Sequence, residues 1–237
     1  MLNLINCQLQ PDANRLESLL KEIVYQFSQN DVIHKIFAFG SFARGDWDCW
    51  SDLDLLVITF QNLTLAQWLS LVSSYKPILH RSNFVPQVEP AGGFLLGITF
   101  EGESVFHKLD LNFMTVDEHL HIENLDRFGK LKLLYESLEL LQPVASVAFE
   151  PELEAPLERQ EQQIEHAVHW THKAIKAVMR GQPSHDKLAT CASKLAEFAE
   201  QAKDISSKRG DISAIANFYL KIADKILVST QNRDRHS

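Results

Sequence analysis

The stretch GSFARGDWDCWSDLDLLV, residues 40–57, constrains the fold of this chain more than any other segment. It connects two short apolar runs, residues 33–39 and 53–60, which predict buried β-strands. Asp52 directly precedes the second strand and Asp54 lies at its start, and alternate residues of an extended chain project from the same side. Two like charges placed so closely are unfavourable unless a cation lies between them. The pattern therefore predicts a cation site at the start of the second strand.

A third carboxylate, Asp110, lies within a strand that we predict over residues 104–115. We expect a hairpin at Glu101-Gly102-Glu103 to join it to a strand over residues 94–100. Asp110 stands between Leu109 and Leu111, on the opposite side of the strand. If this strand lies beside the strand of Asp52 and Asp54, the three carboxylates form a cluster that can hold two Mg²⁺ ions. We expect Lys108, two residues earlier on the same side, to be solvated.

Gly40 and Ser41 end the first strand and suit a phosphate site. Glycine lets the backbone approach a ligand closely, and Ser41 offers a hydroxyl and an N–H at the start of a short helix. Arg44, one turn later, is either an additional phosphate ligand or an exposed charge. We expect Trp47 and Trp50 to pack against the core.

These residues together resemble the nucleotidyltransferase superfamily that includes DNA polymerase beta. The matching pattern is G-S-x-A-R-G at residues 40–45, S-D-x-D at residues 51–54, and the later Asp110. The resemblance covers about residues 30–115 and is nearest to the small bacterial branch of aminoglycoside nucleotidyltransferases and minimal nucleotidyltransferases, some of which are antitoxins. It implies that Asp52, Asp54 and Asp110 are metal ligands. It also implies that Asp110 is the base for the acceptor hydroxyl.

The predicted fold is α+β: a nucleotidyltransferase-type mixed sheet with flanking helices, followed by an all-helical C-terminal domain. The domain assignment is 1–142 for the catalytic domain, 143–156 for a proline-containing linker and 157–237 for the helical domain. Apolar periodicity predicts helices over residues 12–29 and 64–75 in the first domain. It predicts a last strand over residues 130–135 and three C-terminal helices over 157–180, 184–208 and 211–229.

One C-terminal helix carries three histidines, His166, His169 and His172, at a spacing of three residues. The third drifts away from the side of the first, so we expect solvated or packed histidines rather than a metal site. Packing is also the default interpretation for Trp170, with contact to the acceptor as the alternative.

Composition limits the partners and the compartment. The net charge is −8 with only 23 Lys and Arg, which disfavours general nucleic-acid binding and favours a small anion that arrives with a metal ion. No run is long enough to cross a membrane, and the N-terminus lacks the features of a signal peptide. The three cysteines match no metal pattern. We expect a cytoplasmic protein without membrane partners.

Two functions follow from these features. The first is a metal-dependent nucleotidyltransferase that moves a nucleoside monophosphate, AMP from ATP, to a hydroxyl of a small molecule such as an aminoglycoside or of a protein. In this function Gly40, Ser41 and Arg44 bind the triphosphate. The alternative is a nucleotide-binding regulatory protein or antitoxin that neutralises a partner toxin. Both a homodimer and a toxin complex are compatible with the sequence.

Overall fold

The computed structural model describes residues 11–82, 85–86, 94–116, 128–137, 159–201 and 212–234. The chain divides into two compact units, Met1–Glu154 and Ala155–Ser237. The linker that we predict over residues 143–156 lies outside the described residues.

The first unit contains three described helices and seven described strands. The helices are α1 (Ala13–Ser28), α2 (Gly40–Arg44) and α3 (Leu65–Tyr75). The strands are β1 (Ile33–Ala38), β2 (Leu53–Thr59), β3 (Ile78–Arg81), β4 (Val85–Pro86), β5 (Phe94–Phe100), β6 (Leu109–Thr115) and β7 (Lys132–Glu136).

The strands form one mixed sheet in the order β3-β5-β6-β2-β1-β7, with β4 paired to β5. Strands β2 and β6 are parallel, whereas the other described pairs are antiparallel. The central strand β2 is almost continuously apolar because both of its faces are covered, and the side chains of residues 55–58 are fully buried. The predicted α+β class with a mixed sheet is confirmed.

Helices α1 and α3 cover the sheet with their apolar stripes. Helix α1 begins where the Asp12 carboxylate accepts a hydrogen bond from the Asn14 N–H at 2.9 Å. Thr64 and Gln67 form a capping box at the start of α3. Trp68 of α3 is fully buried, and its ring centroid lies 4.2 Å from that of Phe113 on β6.

A buried carboxylate ties both helices to the end of β5. Glu103 is only 3% exposed, and it forms ion pairs with Arg15 of α1 and with Lys76 at the end of α3. The Arg15 Nε–H also donates to Glu103 Oε2 at 3.0 Å. Burial opposes ionisation of Glu103, but the two cations outweigh it and lower the pKa of this carboxyl below its ordinary value.

The predicted hairpin between β5 and β6 is wrong in its length, because β6 begins at Leu109 instead of residue 104. The His107 N–H donates to the Ser104 carbonyl at 2.9 Å, which closes a turn before the strand. Val105 and Phe106 are buried in this turn. In the sequence, these two apolar residues therefore resemble the buried residues of a strand.

The second unit is helical, as predicted. It contains α4 (Arg159–Met179), α5 (His185–Gln201) and α6 (Ile212–Asp234), and each helix packs against the other two. Residues 202–208, which we predict to continue α5, lie outside the described residues. Buried aliphatic side chains line the contacts between the helices: Ile164, Ile175, Leu188, Leu195, Ile212 and Ile215. Within the described residues, no helix is both long and apolar enough to cross a membrane.

Candidate active site

Helix α2 begins at a glycine that touches a carboxylate. Gly40 has φ +62°, and a Cβ atom built on it would lie 2.3 Å from Asp54 Oδ2. This distance is far below any real contact, so only glycine permits the turn and the carboxylate to be this close. Phe39, at the N-cap position, makes no side-chain hydrogen bond to the first turn of α2. The predicted turn of Gly40 and Ser41 therefore lies directly beside Asp54.

The register of the sheet places two predicted site carboxylates side by side. Asp54 of β2 pairs with Asp110 of β6 in the parallel ladder. The main chain also joins the segments around them, because the Leu53 N–H donates to the Lys108 carbonyl at 2.8 Å. Paired residues of neighbouring strands project to the same side of a sheet. Asp54 and Asp110 are therefore neighbours on one side, as the strand pattern predicts.

Asp52 precedes β2 in a loop that is held by its own side chains. Ser51 is buried, and its hydroxyl donates to Asp48 Oδ1 at 3.0 Å. The Trp50 N–H donates to the same Asp48 oxygen at 3.0 Å. These bonds fix the loop immediately before Asp52. Ser51 of the S-D-x-D pattern therefore serves the loop conformation.

The two tryptophans of this loop pack as expected. The Trp47 ring stacks on Phe42 with 4.5 Å between ring centroids, and Trp50 meets Phe106 edge to face at 5.1 Å. Both contacts hold the segment between α2 and β2 against buried phenylalanine rings.

Lys108, which we expected to be solvated, is instead paired with Asp110. Its Nζ atom lies 2.6 Å from Asp110 Oδ1, and the two side chains are 30% and 26% exposed. Burial disfavours the ammonium, but the combined attraction of Asp110, Asp52 and Asp54 outweighs it and raises the pKa of Lys108. The lysine therefore lies in the field of all three predicted carboxylates.

A second glycine makes room for this lysine. Gly97 of β5 pairs with Asp110 in the antiparallel register. A Cβ atom on Gly97 would lie 2.6 Å from Lys108 Cε and 3.1 Å from Asp110 Oδ1. The sequence does contain a signal for this site, since an isolated glycine within a predicted strand often marks a close approach. Gly97 was not predicted from the sequence as part of this site, and the prediction of a solvated Lys108 was wrong.

Arg44 lies near the site but is turned toward another side chain. Its Nε atom is 3.1 Å from Asp46 Oδ2, and both side chains are more than half exposed. Of the two interpretations given above for Arg44, this structure displays the exposed charge. Its role as a phosphate ligand remains a prediction.

A divalent cation fits the chemistry of this site. Carboxylate oxygens are the ligands that Mg²⁺ prefers, and the Gly40 turn leaves the Asp54 carboxylate uncrowded by any side chain at that position. In this structure, Asp110 Oδ1 forms an ion pair with the Lys108 ammonium. Within the described segments, no three His, Cys, Asp or Glu side chains are gathered as a set of metal ligands, so the predicted cluster of three carboxylates is not assembled in this structure.

The histidines of α4 have separate environments. His172 is buried and its Nδ1 atom lies 2.6 Å from the Tyr219 hydroxyl of α6. His166 and His169 meet the ring of Trp170 edge to face. These contacts agree with packed histidines.

Comparison with known proteins gives a family match in the N-terminal part of the chain. Residues 21–111 match the family model described as polymerase beta, nucleotidyltransferase. This segment lies entirely within the first compact unit and includes all six predicted site residues. No curated protein matches the chain.

Solved structures show only low similarity. A structure of a cytoplasmic RNA terminal U-transferase is 16% identical with a TM-score of 0.32, over 51% of this chain and 36% of that chain. JHP933 from Helicobacter pylori is 11% identical with a TM-score of 0.27, over 97% of both chains. A STING-associated CdnE c-di-GMP synthase from Capnocytophaga granulosa is 12% identical with a TM-score of 0.27, over 93% of this chain and 82% of that chain.

TM-scores this low carry no argument about the chain, so the assignment rests on the family model. The predicted enzyme class agrees with that model. Residues 21–111 of the 237-residue chain therefore resemble the nucleotidyltransferases of the polymerase beta superfamily.

Proposed function

We propose that this protein is a metal-dependent enzyme that transfers a nucleoside monophosphate, AMP from ATP, to a hydroxyl group of an acceptor. The observation that carries the proposal is the row of Asp54 and Asp110 on paired parallel strands, with Gly40 in contact with Asp54. These residues place a turn that suits phosphate binding beside two carboxylates on adjacent strands. They all lie in the segment that matches the nucleotidyltransferase family model.

Asp52, Asp54 and Asp110 are the residues that would hold Mg²⁺, and two ions suit three carboxylates. When bound, the metal neutralises the triphosphate and stabilises the charge that develops on the attacking and leaving oxygens. Before Asp110 can bind a metal ion through both oxygens, its bond to Lys108 must open.

The protein side chains have defined tasks in this proposal. The N–H groups and the hydroxyl at Gly40 and Ser41 bind the β- and γ-phosphates, and Arg44 adds a positive charge beside them. The Asp110 carboxylate takes the proton of the acceptor hydroxyl. The acceptor oxygen then bonds to the α-phosphorus, the bond from that phosphorus to the bridging oxygen breaks, and pyrophosphate leaves.

The acceptor is either a small molecule such as an aminoglycoside or a protein. The net charge of −8 suits a cationic acceptor, because an acidic surface increases the encounter rate with positively charged molecules. This steering argument favours an aminoglycoside over a neutral hydroxyl compound.

The test is transfer of label from α-³²P-labelled ATP, with Mg²⁺ and a panel of aminoglycosides and candidate proteins. We expect wild type to label an acceptor. Asp54→Asn and Asp110→Asn should each lower the rate by at least about a hundredfold, the scale of a lost catalytic acid–base group. Asp31→Asn changes an exposed carboxyl outside the site and should leave the rate unchanged. Wild-type rates in both site variants would refute the assigned roles, whereas no transfer by wild type to any acceptor would favour the antitoxin alternative.

A further inference from the structure

The helical unit contains a cavity that the proposed reaction does not use. It has a volume of about 670 Å³ and lies between α4 and α5. Arg159, His166 and Trp170 line it from α4, at spacings of seven and four residues that place them on one side of the helix. Lys194 and Phe198 line it from α5 with the same geometry. The volume lies within the range that is typical of small-molecule sites.

The charges along this cavity are mostly positive. Arg159 and Lys194 are both exposed, and neither forms an ion pair within the part of the chain that the structure describes. Glu197 is the single carboxylate among the described residues that line the cavity. The two cations outnumber the carboxylate, and this balance favours an anionic ligand.

The cavity also presents an exposed aromatic ring. Trp170 is 37% exposed, although a tryptophan is normally more buried than this. The Nζ atoms of Lys173 and Lys187 lie 5.5 and 5.0 Å from its ring centroid, within the range of cation–π contacts. A planar ligand that contacts Trp170 therefore also meets additional positive charge.

We propose that this cavity binds a nucleotide, with its phosphate near Arg159 and Lys194 and its base against Trp170. The ligand class follows from three features: a volume of small-molecule size, an exposed indole ring and two exposed cations. Two sources supply this chemistry, a free mononucleotide or the phosphorylated end of a nucleic-acid strand. The described residues that line the cavity all belong to the second unit, and the proposed binding needs none of the three aspartates of the first unit.

The test is equilibrium binding of labelled AMP to the full chain in the presence of EDTA, which removes metal-dependent binding. We expect saturable binding in wild type. The double variant Arg159→Gln/Lys194→Gln should weaken it by at least about tenfold. Trp170→Leu should weaken it as well, whereas Trp170→Phe should retain most of the affinity. The control Lys221→Gln/Lys225→Gln removes two exposed lysines from α6 and should change nothing.

The proposal would be overturned if AMP did not bind at millimolar concentration or if the α6 control weakened binding equally. Competition by inorganic phosphate as effective as that by AMP would also overturn it. So would binding that Asp54→Asn abolishes while Arg159→Gln/Lys194→Gln leaves it intact. Competition by a 5′-phosphorylated oligonucleotide at equal or lower concentration identifies the strand end as the ligand source. Its failure to compete, with AMP bound as expected, identifies the free mononucleotide.

Discussion

At the scale of single residues, the candidate active site depends on two positions without a side chain. Gly40 lies against the Asp54 carboxylate, and Gly97 lies against Lys108 and Asp110. The first glycine could be recognised from the sequence because it belongs to the G-S pattern. The role of Gly97 could not be predicted, because it depends on which strand pairs with β5.

Replacement of Gly40 by alanine should abolish transfer and destabilise the first unit. The new methyl group would overlap Asp54 Oδ2, and φ +62° is strained for any residue with a Cβ atom. The strain alone costs about 1–2 kcal/mol in the free energy of unfolding, which urea denaturation measures.

Gly129→Ala is the matched control for this variant. Gly129 has φ +64°, but no atom of the described residues lies within 4 Å of the position that its new methyl group would take, so it has the backbone strain without the collision. A Gly40→Ala protein with normal activity would show that the contact with Asp54 has no role in the reaction.

Replacement of Lys108 by methionine should strengthen metal binding in the absence of nucleotide. The methionine has a similar length but no charge, so it does not compete with a metal ion for the Asp110 carboxylate. We expect a gain of roughly tenfold in Mn²⁺ affinity, measured by electron paramagnetic resonance titration. Lys21→Met, at an exposed lysine of α1, is the control. Equal or weaker Mn²⁺ binding by Lys108→Met would contradict the proposed competition.

At the scale of elements, the apolar patterns predicted strands well where packing is two-sided. Strand β5 was predicted with the bounds that the structure has, and β1 and β2 differ from prediction by one residue each at the end. The pattern failed at residues 104–108 because Val105 and Phe106 are buried by a turn. Alternating apolar residues indicate that side chains are buried, and they do not distinguish a strand from a tightly packed turn.

The Glu103 ion pairs should stabilise the first unit at neutral pH. Glu103→Gln removes a buried charge that two cations share, and we expect a loss of about 2 kcal/mol in unfolding free energy, reduced because both cations are partly exposed. Denaturant unfolding at several pH values measures it.

The pH dependence of this contribution has a definite sign. Because folding lowers the pKa of Glu103, its stabilisation is present above the ordinary glutamate value of 4.5 and declines as the pH falls toward the lowered value. The difference between wild type and Glu103→Gln should therefore shrink in acid. A constant difference from pH 7 to pH 3 would show that folding does not lower the pKa of Glu103.

At the scale of the whole molecule, the sequence predicted the first unit better than the second. The three aspartates could be proposed as site residues because a strand repeats every two residues and the surrounding motif is local. The positions of Lys108 and Gly97 depend on the pairing of β5 with β6, which is a contact distant in sequence. The second unit offers helical periodicity but no motif, so its cavity became apparent only from the packing of α4 and α5.

The most direct measurement compares ATP labelled at the α-phosphate with ATP labelled at the γ-phosphate, under identical conditions with Mg²⁺ and acceptor. The carboxylates of Asp54 and Asp110 beside Gly40 predict nucleotidyl transfer. The α-label should therefore enter the product, and the γ-label should appear only in pyrophosphate, in equal amount. Transfer of the γ-label to the acceptor, or no transfer of either label to any acceptor, would contradict the account.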